Sequence, residues 1–138
     1  MTRGSIRQII ALGTITGIRS MAGPAALALT RGGPLSHALP LLAAAEMVAD
    51  KMSSIGDRVD PLPLGGRAVM GAAVGGMVAA GHDDNVLLGG VLGAATAVVA
   101  AFVFFSLRQR LPVSSVAGDV AEDLMVVAVG DYSRRHWR

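Results

Sequence analysis

The sequence has 138 residues, of which 52% are hydrophobic and only 16% are charged. Soluble domains carry about 25% charged residues, so this composition excludes an ordinary solvated surface. The chain has no cysteine, which excludes disulfides and thiolate metal sites, and its three histidines have no metal-ligand spacing. The net charge is only +2 and the sequence has no basic stripe, so a nucleic-acid partner is not expected. Together these features predict an all-α integral membrane helical bundle of four to five short segments.

Five apolar segments follow one another, separated by turns rich in glycine, proline and aspartate. The fourth is the cleanest, because it has no charged residue over a length that suits a bilayer. The second is short for a perpendicular crossing, so we expect it to be tilted, re-entrant or buried in the bundle. A basic, aromatic tail typical of an interface anchor ends the chain. The predicted segments are 5–30, 35–50, 64–81, 85–107 and 113–130, with the tail at 131–138.

The first segment carries one charge, Arg19, near its middle. Gly23 and Pro24 follow shortly after, and proline belongs in the first turn of a helix rather than in its interior. We therefore predict a break over 17–23, with a half-helix starting at Pro24. The break would place Arg19 and Ser20 on irregular backbone, which is tolerated at membrane depth only when buried in protein or lining a cavity. The alternative is a proline-kinked helix without a site.

Carboxylates later in the chain are the expected partners of Arg19. Glu46 and Asp50 share a helix face at positions i and i+4. Glu122 and Asp123 lie in the fifth segment. A charge within a span usually finds a partner in the bundle, here Glu46 or Glu122. Three interpretations stay open: a static salt bridge, an ion-binding cavity, or charges that reach the interface. The candidate binding residues are Arg19, Ser20, Gly23, Pro24, Glu46, Asp50, Glu122 and Asp123.

Two further features concern the outside of the bundle. Lys51 and Arg67 stand near segment ends, where long cationic side chains reach the membrane interface, so we interpret them as anchors. Small residues four positions apart let helices approach closely. This spacing indicates packing faces that are also open to a homodimer, at Gly71/Gly75 and at Gly89/Gly93.

Segments 1–2 and 4–5 share a plan that predicts an internal repeat. The letters LGTIT at 12–16 resemble LGAAT at 92–96, and each long segment leads through a basic, proline-containing turn into a shorter acidic one. If every segment crosses, the repeat is inverted, which is a common transporter design. If segments 2 and 5 are re-entrant instead, only Arg3 and Arg7 lie opposite the other basic residues, as the positive-inside rule favours. Orientation in the membrane stays open.

Three stretches of the sequence resemble a known family: GIRSMAGPAALAL, LAAAEMVADKMSSIGDRVDPLPLGGR, and AEDL near the end. They are similar to the small multi-pass membrane proteins catalogued as domain of unknown function 4126. The distinctive part is an E-x-x-A-D-K motif and the connection that follows it, here Glu46, Asp50, Lys51, Asp57, Pro61 and Arg67. A late E-D pair is matched by Glu122 and Asp123, whereas Met52-Ser53 departs from a proline found nearby in many members. The resemblance implies a multi-pass protein of the bacterial inner membrane and brings no established activity.

The functional prediction follows from the charges inside the segments. We expect a transporter or channel for an ion or small solute, with a buried Arg/Glu polar centre. The alternative is a structural or accessory membrane protein with a static salt-bridge network. No nucleophile–base arrangement or phosphate loop is visible, so we do not expect an enzyme, a cofactor or a metal. Membrane lipid is the expected partner, together with an unidentified small solute or ion.

Overall fold

A computed structural model describes residues 1–33, 36–39, 41–42, 61–110 and 115–136. It contains five long helices: α1 Arg3–Ile18, α2 Ala22–Arg31, α3 Pro61–Gly81, α4 Val86–Arg110 and α5 Ser115–His136. Residues 36–39 and 41–42 are also helical. Within these ranges there is no strand, so the predicted all-α class is confirmed.

The predicted break in the first segment is confirmed, at Arg19 to Met21. Helix α1 ends at Ile18, Arg19 has extended backbone angles (φ −137°, ψ 120°), and α2 begins at Ala22, two residues before Pro24. Pro24 thus occupies the first turn of α2, where its missing N–H costs no helical hydrogen bond. The break is more than a kink, because the chain reverses direction there.

Gly23 shows the reversal. A Cβ built on Gly23 would overlap Thr16 Oγ1 and would lie 2.8 Å from the Leu12 carbonyl oxygen. In a continuous helix, eleven residues would separate Leu12 from Gly23 by about 16 Å. At the other end of α2, Arg31 Nη2 donates a hydrogen bond to the Met77 carbonyl oxygen near the C-terminus of α3. Helices α1 and α2 therefore form an antiparallel hairpin.

Helices α3 and α4 form a second antiparallel hairpin around a short polar turn. Asn85 starts α4, since its side-chain oxygen accepts a hydrogen bond from the Leu88 backbone N–H at 3.0 Å. The two helices approach closely because glycines face each other: a Cβ on Gly75 would overlap the Gly89 carbonyl, and one on Gly93 would overlap that of Gly71.

This packing uses the two glycine faces within one chain, and the predicted homodimer stays a prediction. Both glycine pairs, Gly71/Gly75 and Gly89/Gly93, are covered by each other within one chain. A second copy could not reach the same faces without separating α3 from α4. The predicted small-residue packing is present, and its partner is the neighbouring helix of the same chain.

Helix α1 runs parallel to α4, so the predicted inverted repeat is not confirmed. A Cβ on Gly13 would meet Thr96 Cβ at 2.9 Å, and a Cβ on Gly17 would meet Ala100 Cβ at 2.7 Å. The contacts advance along both helices in the same direction. An inverted relation would require the two similar segments to run antiparallel. The likeness of LGTIT to LGAAT therefore accompanies two short motifs that pack side by side.

Helix α5 lies along the hairpin and runs parallel to α2. Asp123 contacts Arg19 at the break, and a Cβ on Gly130 would lie 3.8 Å from Ala26 Cβ. The helix continues to His136, six residues beyond the predicted end of the segment, with an ion pair of 2.8 Å between Arg135 and Asp131. Most of the predicted tail is thus helical.

Two of the five long helices, α3 and α4, are long and apolar enough to cross a membrane. The qualifying spans are Pro63–Gly81 and Val86–Arg110, with mean hydropathies of 1.2 and 2.3. The remaining long helices do not pass the same test of length and composition among the described residues. These findings give a helical protein with two candidate membrane-spanning helices, which is coarser than the predicted four to five spans.

Candidate functional site

The reversal between α1 and α2 lies deep inside the bundle. Gly17, two residues before Arg19, packs against Ala97 and Ala100. Helix α4 has 25 residues, so these two alanines lie close to its middle, about 18 Å from either end. Hydrophobic residues of the hairpin pack into the core around the break, including Ile15, Ile18, Ala22, Ala26 and Leu27. The tip of the hairpin is therefore at mid-height, remote from both ends of the bundle.

Arg19 is held in this position by its own backbone. Its N–H donates to the Ile15 carbonyl oxygen at 2.8 Å, and its carbonyl oxygen accepts from the Ala22 N–H at 3.0 Å. One residue thus closes the last turn of α1 and opens the first turn of α2. Its side chain is 2% exposed, which makes it the largest fully buried side chain in the described part of the protein.

The guanidinium of Arg19 forms an ion pair with Asp123 of α5. Nη2 lies 2.9 Å from Asp123 Oδ1, and Nε donates a hydrogen bond to the same oxygen at 3.1 Å. The Asp123 side chain is 19% exposed, so the pair is closed around the arginine and more open on the carboxylate side. Charge-assisted bonds at these distances are strong, because little water competes for the arginine.

The helix ends around the pair complement its charges. The C-terminus of α1, which carries partial negative charge, meets the guanidinium of Arg19. The N-terminus of α2, which carries partial positive charge, starts three residues later on the side that faces α5. The end of α1 therefore stabilises the charge of Arg19, and the start of α2 stabilises the charge of Asp123.

Arg67 lies at about the same height, on α3. It precedes Gly71 by one helical turn, and Gly71 packs against Gly93 and Ala97, which places Arg67 near the level of the break. Its side chain is buried, at 8% exposure. This differs from the predicted interface anchor: the guanidinium is covered by protein instead of extending along the outside of the helix.

The structure brings together five of the predicted site residues, Asp123 among them. Ser20 lies in the turn between the helices, Gly23 packs on Thr16, and Pro24 is buried in the first turn of α2. The fourth is Arg19, but its described acidic partner is Asp123, where the sequence favoured Glu46 or Glu122. Glu46, Asp50 and Lys51 lie outside the described residues, and so does the side chain of Glu122.

The sequence did not identify a second polar cluster, where the N-terminus of α1 meets the α3–α4 turn. Asp84 Oδ2 accepts hydrogen bonds from the Ser5 hydroxyl at 2.5 Å and from the Thr2 backbone N–H at 2.9 Å. These bonds, with the ammonium of Met1 at 3.4 Å, lower the pKa of Asp84 from 3.8 to about 2. The Ser/Thr residues at the start of an apolar run were the available signal, since such residues cap helices. The cluster holds the N-terminus of α1 against the α3–α4 turn.

The described residues contain no group of three or more histidines or acids that could hold a metal ion. The arrangement offers instead a fixed, buried cation at a helix break and a carboxylate on a neighbouring helix. Such a pair can exchange partners or lock three helices together. Comparison of the chain with protein-family models, with curated proteins and with solved structures finds no match. The resemblance to domain of unknown function 4126 therefore stays a prediction.

Proposed function

We propose that this chain is a multi-pass protein of the bacterial inner membrane that moves an ion or small solute past the hairpin tip. In this proposal α3, α4 and α5 cross the bilayer, and the α1–α2 hairpin enters from the side of the 82–85 turn and returns to it. The single observation that carries the proposal is the ion pair between the fully buried Arg19 and Asp123 at a helix break at mid-height.

Apolar side chains on the outside of the bundle support the membrane setting. Helix α4 exposes a series of large hydrophobic residues along its length, with Leu87 at 76%. Monomeric soluble proteins rarely expose contiguous apolar patches larger than a few hundred Å². The series on α4 comprises Val86, Leu87, Leu88, Val91, Val99, Phe102, Val103 and Leu107.

The surface between α3 and α4 also suits lipid. A shallow groove of about 560 Å³ runs between the two helices and is lined almost entirely by carbon. Small residues such as Ala72 and Gly76 form part of it, with Met77, Leu87 and Val91 beside them. A wall without polar groups provides nothing to orient a charged solute, so the solute site is better sought at the hairpin tip.

The break supports a transport role because it is energetically unfavourable inside a membrane. Non-helical backbone and a guanidinium at membrane depth are both unfavourable, at about 3 kcal/mol or more for the charge alone. Broken helices that place their ends at the middle of the membrane are a recurring device for binding ions and solutes. Here the ends of α1 and α2 meet at that depth with a cation between them.

A structural or accessory role is the second candidate, and one observation favours it. Arg19 is 2% exposed and in direct contact with Asp123, as a static bridge that fastens α1, α2 and α5 together would be. A buried ion pair is by itself weak evidence for function. The two candidates differ in what happens when the pair is replaced by apolar residues of similar size.

Flux into proteoliposomes tests the proposal, with wild type compared with Arg19→Met/Asp123→Leu. Apolar replacement of a buried pair is often neutral or stabilising, so we expect the double variant to fold with a melting temperature near that of wild type. If the pair takes part in transport, flux of at least one ion or small solute falls to the level of empty liposomes. Equal flux across the whole panel would refute the transport role and leave the structural one.

A further inference from the structure

Exposed side chains change from apolar to polar at one level of the bundle, near the end that holds the α3–α4 turn. On α1 the change lies between Ile10, which is 45% exposed, and the exposed Arg7 one turn earlier. On α2 the exposed Leu29 is followed by Arg31, at which the helix ends. On α4 the exposed Leu87 comes directly after the turn. Three helices thus pass together from an apolar to a polar surface, as at the boundary between hydrocarbon and headgroups.

A second boundary of this kind lies one bilayer away. Helix α4 exposes large apolar side chains from Val86 to Leu107 and then ends in Arg108 and Arg110. Val86 and Leu107 are separated by about 32 Å along the helix axis. The hydrocarbon core of a bilayer is about 30 Å thick. The two boundaries therefore have the separation of the two headgroup layers of one membrane.

The boundary at the α3–α4 turn has the larger number of exposed arginines. Two belong to the start of α1, one to the end of α2 and one to the last turns of α5. Arg31 donates a hydrogen bond to the Met77 carbonyl oxygen and Arg135 pairs with Asp131, yet both arginines remain exposed. The four residues are Arg3, Arg7, Arg31 and Arg135, compared with Arg108 and Arg110 at the opposite end of the described helices.

Arg3 and Arg7 are suited to bind phosphate at this boundary. They stand four residues apart, so they share one face of α1, and Ile10 continues that face into the apolar layer. Ser5 points to the opposite face, where its hydroxyl donates to Asp84. The helix therefore separates the Asp84 carboxylate from the two guanidinium groups. Each guanidinium provides a fork of N–H donors that matches the oxygens of a phosphate.

We propose that this end of the bundle binds the anionic phospholipid headgroups of the cytoplasmic leaflet, with Arg3 and Arg7 on the phosphates. Arginine and lysine are in excess on the cytoplasmic side of membrane proteins, whereas acids contribute little to this bias. Asp83, Asp84 and Asp131 at the same end therefore do not change the orientation. The start of α1 and the α3–α4 turn then face the cytoplasm. The inference rests on the membrane setting of the proposed function and adds to it a lipid-binding surface and an orientation.

Quenching of a tryptophan reporter by brominated lipids tests the binding surface. Ile10→Trp, combined with Trp137→Phe to remove the one native tryptophan, places the reporter one turn from Arg7. In phosphatidylcholine vesicles, brominated phosphatidylglycerol should associate with this reporter at least about threefold more strongly than brominated phosphatidylcholine, because each arginine near an anionic surface contributes a factor of about five. Equal association of the two lipids would overturn the headgroup binding.

Two double variants of equal charge show which end is responsible. Arg3→Gln/Arg7→Gln should abolish the preference for phosphatidylglycerol at the Ile10→Trp reporter. The matched control, Arg108→Gln/Arg110→Gln, removes the same charge from the opposite end and should leave the preference unchanged. An unchanged preference in the first variant, or an equal loss in both, would overturn the assignment of the surface to α1.

The orientation provides a second test that needs no tryptophan. In intact bacterial cells, Gln109→Cys at the end of α4 should react with a thiol reagent that does not cross membranes. His82→Cys in the α3–α4 turn should react only after lysis, and its reaction before lysis would overturn the cytoplasmic orientation. Neither test measures flux, so a chain that carries no ion or solute would refute the proposed function without affecting the lipid-binding surface. A reporter that neither brominated lipid quenches would show that α1 does not reach lipid and would overturn the inference.

Discussion

Replacing Gly23 with alanine tests whether α2 lies against α1. The added Cβ would overlap Thr16 Oγ1 and stand 2.8 Å from the Leu12 carbonyl oxygen. Thr16 cannot easily turn away, because its hydroxyl donates a hydrogen bond of 2.7 Å to that same carbonyl inside the buried core. The two helices must therefore separate near the break, where Arg19 and its partner lie.

The expected cost can be set against a known gain. Alanine is more favourable than glycine in a helix by about 1 kcal/mol. Forcing an extra carbon into a packed core costs typically about 1–3 kcal/mol, and here the clash involves backbone as well as a side chain. We expect Gly23→Ala to lower the free energy of unfolding by about 1–3 kcal/mol, which for a chain of this size lowers the melting temperature by several degrees.

Thermal unfolding in detergent provides the assay, and Gly66 provides the control. Gly66 lies in α3, and a Cβ there meets no described atom within 4 Å, so Gly66→Ala should be neutral or slightly stabilising. If Gly23→Ala is as stable as Gly66→Ala, Gly23 does not face Thr16. The hairpin inferred from that contact would then be wrong.

Two further predictions concern the ion pair and the polar cluster of Asp84 with Ser5 and Thr2. Arg19→Met alone should destabilise the fold by about 3–5 kcal/mol, because it leaves the Asp123 carboxylate without its arginine, and adding Asp123→Leu should recover most of that loss in chemical unfolding. A single variant as stable as the double would contradict the pairing. The pKa of Asp84 lies below its usual value, so the ionised carboxylate stabilises the docked α1 above about pH 4, and this is lost as the pH falls towards 2. Ser5→Ala should shift that loss to higher pH and raise the Asp84 pKa towards 3.8 in a carboxyl-detected titration, whereas an unchanged pKa would refute the Ser5 contact.

Composition and local signals predicted much of the helical structure. The break was predictable because a charge precedes a Gly-Pro pair within a long apolar run. Few structures can accommodate both the charge and the proline inside a continuous helix. The start of α4 at Val86 follows from the Asp/Asn turn before it, in which Asn85 caps the helix. The glycine spacing correctly indicated close helix packing.

The direction of the chain after the break was not predictable from local sequence. A proline-containing break fits both a kinked crossing and a reversal, and what decides between them is tertiary packing of Gly23 on Thr16. The packing of α1 parallel to α4 likewise depends on tertiary contacts, and it gives no support to the predicted inverted repeat. The contact of Asp123 with Arg19 depends on the rotation of α5 about its axis, which the weakly amphipathic pattern of this helix does not specify.

The reversal has a direct consequence for membrane topology, and single-cysteine labelling measures it. The cysteine-free chain allows Gly4→Cys, before the hairpin tip, and His37→Cys, after it, to be tested one at a time with a thiol reagent that does not cross membranes. We expect both positions to label from the same side as His82→Cys in the α3–α4 turn, and Gln109→Cys at the end of α4 to label from the opposite side. Labelling of Gly4→Cys and His37→Cys from opposite sides would show a single crossing and contradict the re-entrant hairpin.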